Sequence, residues 1–400
     1  MEWEEIALEL TFSSPTKIVL LVIDGLGGLP FPEKTELEEA STPHLDSLAA
    51  NSSCGLTIPV LRGITPGSGP AHLALFGYNP LKHMLGRGIL EAFGLGIEVG
   101  EKDLVARGNF ATKKEELITD RRAGRISTAE NEKLCSRIND FLQHKEEFRI
   151  SLFPGKEHRF VLKMSGDFLS DALSDADPQK NGAPPLPVQP LSPEAAPTAR
   201  LVNSFIEQVS ELLKDSPQAN TILLRGFSKL PEIPSMEELY KLKPAAVAHY
   251  PMYKGLARIV GMKILEPGPE ISNIFDCLEE HYQEYDFFYL HVKKTDTFGE
   301  DGAFETKVKT IEAVDSYIPR LLSLKPDVLV VTSDHSTPAL LKSHSWHPNP
   351  FLLHAKTAMP DRISGFTERT CGQGSLGLFP AMHAMPLMLA HALKMKKFGA

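Results

Sequence analysis

The sequence is poor in cysteine, and its cysteines are scattered. The 400 residues include Cys54, Cys135, Cys277 and Cys371, and no Cys-x-x-Cys pair occurs among them. This spacing argues against a disulfide framework and against a zinc site built from thiolates. We therefore predict that the cysteines are buried free thiols.

Positive charge is also in deficit. Lys and Arg number 42 against 51 Asp and Glu, which gives a formal net charge of -9 and offers no general attraction to nucleic acid or anionic membranes. The apolar run IVLLVI is far shorter than the roughly 20 residues that span a bilayer, and the acidic leader MEWEEIALEL is unlike a signal peptide. We expect a cytoplasmic protein, a monomer or small homo-oligomer, without nucleic-acid or membrane partners.

What the sequence does contain is a series of short apolar runs that end in polar residues. KIVLLVI precedes Asp24, DFFYLHV precedes Lys293, DVLVVTS precedes Asp334, and NTILLRG and AAVAHY are two further runs. Helical patterns such as TPHLDSLAANSS and FETKVKTIEAVDSYIPRLLSL lie between them. This alternation predicts an α/β fold with a mostly parallel sheet flanked by helices.

The middle of the chain has a different character. It contains the glycine-rich stretch GRGILEAFGLGIEVG, the basic patch DRRAGR and the proline-rich segment DPQKNGAPPLPVQPLSPEAAP. A chain of 400 residues is also too long for one ordinary hydrophobic core. We predict that residues 85–216 form a smaller, inserted α/β domain that binds substrate, and that residues 1–84 and 217–400 form the larger domain.

Acidic residues and histidines follow three of the predicted strands. They are Asp24, Asp296 and Asp334 with His335, and His344 lies a little further along. Ligands of open α/β sheets bind beyond the carboxyl ends of the strands, and oxygen and nitrogen ligands suit Mn, Mg or Zn. Taken singly, such an Asp more often caps a turn, but their joint occurrence favours a metal site.

A serine between two glycines forms a second candidate feature. In GITPGSGPAHLALFGYNP, Ser68 lies between Gly67 and Gly69 and just before a helical pattern. The N–H groups at such a helix start attract phosphate. Ser68 alone could be an N-cap, but beside a divalent metal its hydroxyl pKa would fall and the hydroxyl would become a nucleophile.

Arginines form a third candidate feature. In a chain of net negative charge they stand out as an anion site, because guanidinium groups bind phosphate and carboxylate through paired hydrogen bonds. A basic run is otherwise most often a solvated face. We assign substrate binding to Arg107 in ARGNF, Arg121, Arg122 and Arg125 in DRRAGR, and Arg225 in NTILLRG.

These motifs, taken in order, resemble a known family. The chain is similar over nearly its whole length to the archaeal-type, cofactor-independent (2,3-bisphosphoglycerate-independent) phosphoglycerate mutases of the alkaline phosphatase superfamily. The resemblance rests on VIDGLGG, TPHLDSLA, GSGPAHLALFGYNP, GRGILEAFGLGI, ARGNFAT, DRRAGR, LSDADP, PMYKGLARIVGM, TDTFGEDG and SDHSTP with its downstream HS. An ordered series of this kind is more specific than any single motif.

The resemblance implies an alkaline-phosphatase-like core and a two-metal phosphotransferase, a glycolytic isomerase. Ser68 would take the phosphoryl group from 3-phosphoglycerate and return it to the 2-hydroxyl, without added 2,3-bisphosphoglycerate. Asp120 would be a candidate proton shuttle, and Lys243 or Lys241 would steady the phosphoserine. The implied ligands are Asp24, Ser68, Asp334 and His335 for one metal and Asp296, Glu300 and His344 for the other.

The chain also departs from the family pattern. Glu300 in GEDG stands where the family has histidine, and a carboxylate there favours harder ions such as Mn or Mg. Trp346 and His347 also differ from the family, and His347 is a candidate for the imidazole that Glu300 does not supply. The alternatives to a mutase are a phosphatase or a small-molecule phosphotransferase (homoserine kinase-like), or a catalytically weak homologue.

Overall fold

The structure is a computed structural model that describes residues 3–142 and 149–399. It divides into two compact units. Unit 1 consists of Met1–Met84 and Ile233–Ala400, and unit 2 consists of Leu85–Glu232. Within the described ranges, no helix is both long and apolar enough to cross a membrane.

The strands are short and are numbered here in chain order. They are β1 (Ile18–Ile23), β2 (Ser53–Ile58), β3 (Asp103–Lys114), β4 (Leu117–Asp120), β5 (Arg149–Pro154), β6 (Arg159–Ser165), β7 (Thr221–Ser228), β8 (Pro244–Val247), β9 (Lys263–Leu265), β10 (Phe287–Val292), β11 (Val328–Thr332), β12 (Asn349–Ala355) and β13 (Gly377–Pro380).

The α-helices alternate with these strands. They are α1 (Trp3–Leu10), α2 (Glu36–Glu39), α3 (Pro43–Ala50), α4 (Ser68–Leu75), α5 (Arg87–Gly94), α6 (Thr128–Leu142), α7 (Ala196–Leu213), α8 (Met236–Tyr240), α9 (Pro251–Ile259), α10 (Ile271–His281), α11 (Lys294–Asp301), α12 (Phe304–Asp315), α13 (Ile318–Ser323), α14 (Glu368–Cys371) and α15 (Ala384–His391). Short 3₁₀ turns cover Ala123–Arg125, Pro193–Ala195 and Ala381–His383.

Unit 1 is built on a mostly parallel sheet. Its described strands run in the order β13-β2-β12-β11-β1-β10-β8-β9, and only the pairs that β12 forms with β11 and β2 are antiparallel. Every residue of β1, β10 and β11 is buried, as expected when both faces of a parallel sheet are covered. The predicted α/β fold class is confirmed.

The core of unit 1 explains why the apolar runs form the central strands. Alternate residues of β1 pack in one cluster with residues of α3, α10, α12 and α13. The pattern FETKVKTIEAVDSYIPRLLSL forms two helices, α12 and α13, because Pro319 cannot continue a preceding helix as its interior residue. These packed elements fix the positions of the strand ends, where the candidate site lies.

Unit 2 has an antiparallel sheet. Its strands run β4-β3-β6-β5, and β7 pairs with the edge of β3 opposite β6. The run NTILLRG is therefore a strand, as predicted. Its predicted place in the sheet of the larger domain is wrong, because it belongs to the sheet of unit 2. The boundary moves from 216/217 to 232/233, because Leu223 of β7 pairs with Asn109 of β3.

Candidate metal centre

Three neighbouring parallel strands carry the candidate ligands to one edge of the unit 1 sheet. β1 lies between β10 and β11 and pairs with both in parallel. Asp24 directly follows β1, Asp334 lies two residues beyond β11, and Asp296 lies in the first turn of α11, just after β10. These carboxylates converge because the carboxyl ends of parallel strands share an edge.

A glycine makes this convergence possible. Gly25 has a φ of +64°, and a Cβ atom there would lie 2.7 Å from Thr337 Oγ1 and 2.8 Å from Asp296 Cα. A side chain at this position would therefore meet both strain and a clash. Gly25 lets the chain turn away immediately after Asp24 while the other loops approach closely.

The first group of possible ligands is Asp24, Asp334 and His335. Their ligand atoms lie within 4.8 Å of one another, and all are buried. His335 Nε2 lies 3.1 Å from Asp334 Oδ2, 3.4 Å from Asp24 Oδ1 and 3.3 Å from Ser68 Oγ. Gly67, not Ser68, occupies the N-cap position of α4, so the Ser68 hydroxyl faces this group rather than capping the helix.

The second group is Asp296, His335 and His344. His344 Nε2 lies 3.6 Å from Asp296 Oδ1, and the rings of His344 and His335 stack with centroids 3.6 Å apart. His344 returns to the site because Ser345 N–H donates to the carbonyl of Ser336 at 2.8 Å. The structure therefore brings six of the predicted ligands, Ser68 included, to one place.

Thr337 fixes the tautomer of His335. Its hydroxyl donates to Asp296 Oδ1 at 2.6 Å and so must accept from His335 Nδ1, which lies 3.0 Å away. The Nε2 lone pair then faces Asp24, Asp334 and Ser68. Burial also holds the pKa of His335 well below its ordinary value, which favours the neutral imidazole that binds metals.

Glu300 and His347 lie outside these two groups. The Glu300 side chain is 54% exposed, and its Oε1 lies 3.8 Å from His344 Nε2, because it extends from the last turn of α11. His347 Nδ1 instead contacts Ser345 Oγ at 3.1 Å, and its ring stacks on Trp346. Among the described residues, His347 does not replace the missing histidine.

The two carboxyl groups of the first group have pKa values that are shifted in opposite directions. Burial raises the pKa of Asp24, but Lys293 and His291 outweigh it and hold that pKa well below its ordinary value. Burial and the negative charges of Asp24 and Asp296 raise the pKa of Asp334 well above its ordinary value. Three carboxylates, those of Asp24, Asp296 and Asp334, therefore share the positive charge of Lys293.

These residues fit a divalent cation. Asp24 Oδ1 and Asp334 Oδ2 are buried, and neither has a hydrogen-bond partner among the described residues. Buried carboxylate oxygens without partners are costly, and a cation with oxygen and nitrogen ligands would compensate both.

Two further buried histidines contact residues of the first group. His72, one turn after Ser68 on α4, places Nδ1 2.9 Å from the carbonyl of Ser68 and 3.2 Å from Asp334 Oδ2. Burial lowers the pKa of His72 to about 3, so it is a neutral donor. His291 Nε2 lies 3.0 Å from Asp24 Oδ2. Such contacts orient ligands, and sequence reasoning missed both histidines.

Lys293 is the basic residue of the site, and Lys243 is not. Lys293 directly follows β10, lies 3.1 Å from Asp24 Oδ2 and hydrogen-bonds Asp296. Burial lowers its pKa, but Asp24 and Asp296 outweigh burial and raise it. Lys243 precedes β8, and its N–H donates to Asp286, so it lies at the amino end of the strands. Placing Lys243 at the phosphoserine was wrong for this reason.

A cavity of about 260 Å³ opens beside Lys293. It lies past the carboxyl ends of β8 and β10, and His249, Glu270 and Lys294 contribute to its wall. Polar side chains and apolar ones such as Ile271 and Ile274 therefore line an open space next to the ligand groups. Lys241, the other lysine that the sequence suggested, caps the end of α8.

In unit 2, arginines lie together on adjacent elements. Arg107 of β3 is paired with Arg225 of β7, and the Nε atoms of both are buried without a partner in the described part of the chain. Burial lowers the pKa of Arg107 to about 10. Arg87 joins them because Gly226, with a φ of +61°, lets the start of α5 approach. Sequence reasoning missed Arg87, although GRGIL contains it.

The DRRAGR residues have other contacts. Arg121 donates twice to the buried Asp177, at 2.7 and 2.6 Å, and Arg122 and Arg125 are exposed. Both oxygens of Asp120 accept backbone N–H groups, from Arg122 at 2.8 Å and from Gly124 at 2.7 Å. In this structure Asp120 stabilises a turn, and its part in proton transfer stays a prediction.

The chain is similar to known proteins, and its full-length relatives match it over nearly its whole length. A family model described as 2,3-bisphosphoglycerate-independent phosphoglycerate mutase matches residues 49–219. A probable 2,3-bisphosphoglycerate-independent phosphoglycerate mutase of Thermotoga maritima is 52% identical over 397 residues, covering 99% of each chain. A protein of the same description from Aquifex aeolicus is 48% identical over 408 residues, covering 99% of this chain and 100% of that protein.

Solved structures are similar too. A cofactor-independent phosphoglycerate mutase from Thermoplasma acidophilum is 31% identical, with a TM-score of 0.73, and the match covers 94% of this chain and 100% of that chain. A protein from Pyrococcus horikoshii is 28% identical, with a TM-score of 0.83, and the match covers 97% and 100% of the two chains.

Proposed function

This chain belongs to the 2,3-bisphosphoglycerate-independent phosphoglycerate mutases, and we propose that it interconverts 3-phosphoglycerate and 2-phosphoglycerate through a phosphorylated Ser68. One observation carries the mechanism. The Ser68 hydroxyl lies 3.3 Å from His335 Nε2, within a buried group of carboxylates and imidazoles. A serine with such neighbours is an activated nucleophile. The reaction is glycolytic, which would place the protein in the cytoplasm.

In the forward direction, Ser68 Oγ attacks phosphorus as the bond from phosphorus to the 3-oxygen of glycerate breaks. The Ser68 proton leaves the hydroxyl, and the released 3-oxygen takes up a proton. The 2-hydroxyl of the glycerate then attacks the phosphoserine, which returns the phosphoryl group and restores Ser68. Because Ser68 returns the same phosphoryl group to the same glycerate, the reaction needs no 2,3-bisphosphoglycerate.

Two divalent ions, with Mn, Mg or Zn as candidates, would be held by this chain's own ligands. Asp24, Ser68, Asp334 and His335 Nε2 would hold one, and Asp296, His344 and Glu300 would hold the other. Bound there, the ions would lower the pKa of the attacking hydroxyl and stabilise charge on the attacking and leaving oxygens.

Basic residues would bind the anionic groups of the substrate. Lys293 offsets the charge of Asp24 and Asp296, and we propose that its ammonium contacts the transferred phosphoryl group. Arg107 and Arg225 have guanidinium N–H groups without partners among the described residues, which supports a role in binding the substrate's carboxylate or phosphate. Arg121, Arg122 and Arg125 remain secondary candidates, as does Asp120 for proton transfer.

A phosphatase or homoserine kinase-like activity is not favoured, because full-length relatives carry the mutase description. We expect the purified protein to convert 3-phosphoglycerate to 2-phosphoglycerate without added 2,3-bisphosphoglycerate. Chelation should abolish turnover, and Mn²⁺ should restore it. Phosphorus NMR measures both substrates and inorganic phosphate. Steady release of phosphate in place of 2-phosphoglycerate, or turnover that survives chelation, would overturn the assignment.

Glu300→His should change metal preference. The exchange replaces an oxygen ligand by nitrogen next to His344, so affinity for Zn²⁺ relative to Mn²⁺ should rise by about tenfold. Competitive calorimetry on metal-free protein measures the ratio. Glu305→His, at an exposed position on the next helix, is the control. If both variants keep the wild-type ratio, Glu300 is not a ligand.

A further inference from the structure

We propose that Lys307 is a positioning residue of the metal centre, whose buried ammonium locks together the two loops that carry the ligands. This inference rests on the proposed function, since it assumes that those loops bind divalent ions. The Lys307 ammonium contacts two main-chain carbonyls and Glu36, so its action on the ligands is through the main chain.

The location of Lys307 is unusual for a lysine. It lies in the first turn of α12, and its side chain has no solvent exposure. Its Nζ donates to the carbonyl of Thr337 at 2.9 Å and to the carbonyl of Gly27 at 3.2 Å. Lysine is almost never fully buried without partners, and here the partners are two main-chain oxygens from different loops.

Each of these carbonyls lies close to ligands. Gly27 is three residues beyond Asp24, and Thr337 is two residues beyond His335. The Thr337 N–H also donates to the Gly27 carbonyl at 3.0 Å, so the loops touch where Lys307 holds them. The Thr337 hydroxyl donates to Asp296 and accepts from His335. Lys307 therefore holds the main-chain carbonyl of Thr337, while the hydroxyl of Thr337 orients Asp296 and His335.

An acidic residue compensates the charge of Lys307. Glu36 Oε1 lies 3.5 Å from Lys307 Nζ and accepts the N–H of Ala339 at 2.7 Å. Glu36 is also buried, so the pair fixes a third point of the loop beyond β11. Burying such a pair contributes little net stability, since desolvation offsets the attraction. What the pair does supply is a defined geometry for the loops that carry Asp24 and His335.

The test is Mn²⁺ binding, measured by calorimetry on chelator-stripped protein. Lys307→Met removes the ammonium and keeps the apolar stem. Lys307→Met combined with Glu36→Gln also removes the unpaired carboxylate, while the amide oxygen can still accept the Ala339 N–H. This double variant keeps the test available if the single variant does not fold. We expect Mn²⁺ affinity to fall by about tenfold or more, as for other residues that orient ligands.

Lys394 offers a matched control in the same unit. Its side chain is also fully buried, and its Nζ donates to the Ser14 carbonyl at 2.6 Å and to Asp286 Oδ2 at 3.2 Å. Lys394→Met with Asp286→Asn removes a comparable buried pair. It should lower the melting temperature but leave Mn²⁺ affinity within about twofold, because none of these residues contacts the ligand loops.

Saturating Mn²⁺ provides a second readout. Most of the kcat lost in the Lys307 variants should return at high Mn²⁺, with KM for 3-phosphoglycerate unchanged, because the deficit is in metal affinity. If wild-type protein binds Mn²⁺ and the folded Lys307 double variant binds it within twofold, the positioning role is wrong. If the wild-type protein itself binds no Mn²⁺, the proposed function fails instead.

Discussion

Ser68→Ala should abolish phosphoglycerate mutase activity, with a fall in kcat of about 10⁴-fold or more. Alanine removes the oxygen that accepts the phosphoryl group, and among the described residues Ser68 has the hydroxyl that contacts His335 Nε2. The loss of kcat is measured by monitoring the conversion of 3-phosphoglycerate with phosphorus NMR. Mass spectrometry of enzyme quenched during turnover should find phosphate on the wild-type Ser68 peptide and none on the variant.

Ser323→Ala is the control for this exchange. Ser323 is an exposed serine at the end of α13, where its hydroxyl donates to the carbonyl of Arg320. Its loss should leave kcat within about twofold, as for surface positions away from special features. Mutase activity of Ser68→Ala near the wild-type level would show that the phosphoryl group does not pass through this serine.

His335→Ala should lower kcat by about 10³-fold or more. His335 belongs to both groups of possible ligands, its Nε2 faces Asp24, Asp334 and Ser68, and its Nδ1 faces Thr337 and Asp296. Removal of the ring should therefore take a ligand from the first cation site and, through Thr337 and Asp296, disturb the second. Calorimetry with Mn²⁺ on stripped protein should show a loss of affinity that parallels the loss of turnover.

The matched control is His347→Ala. His347 lies in the same segment, but its ring stacks on Trp346 and its Nδ1 contacts Ser345. This exchange should leave both Mn²⁺ affinity and kcat within about twofold. A large loss in His347→Ala, together with near-normal activity in His335→Ala, would mean that the two histidines have been assigned the wrong way round.

The ligand groups could be predicted because their signal is local. Asp24, Asp334 and His335 directly follow apolar runs, and such runs form neighbouring parallel strands whose ends meet. Ser68 was a candidate from its position between two glycines at a helix start, and the family resemblance then supplied its role as phosphoryl acceptor and the division of the ligands between two ions. Recognition of the apolar runs as neighbouring parallel strands is sufficient to predict that the residues after them lie close together.

What could not be predicted depends on geometry that the sequence does not show. Lys243 lies beside the apolar run of β8, but proximity in sequence does not tell which end of a strand a residue occupies. Lys293 was predictable, since it directly follows DFFYLHV. The place of β7 depends on its pairing with β3, which joins segments more than 100 residues apart. In the sequence, Lys307 is one of several polar residues in a helical pattern, and its burial is apparent only in the structure.

The position of β1 also has a consequence for biosynthesis. Ile18 pairs with Phe287 on one side and with Val328 on the other, so the first strand is flanked by two of the last. At about 5–20 residues per second, a ribosome needs roughly 10 to 60 s to make the intervening chain. Throughout that time the apolar strand IVLLVI lacks both of its native neighbours, and unpaired apolar strands are the kind of segment that aggregates in incomplete chains. Unit 2 is one contiguous segment, Leu85–Glu232, so its sheet does not wait for the C-terminal strands.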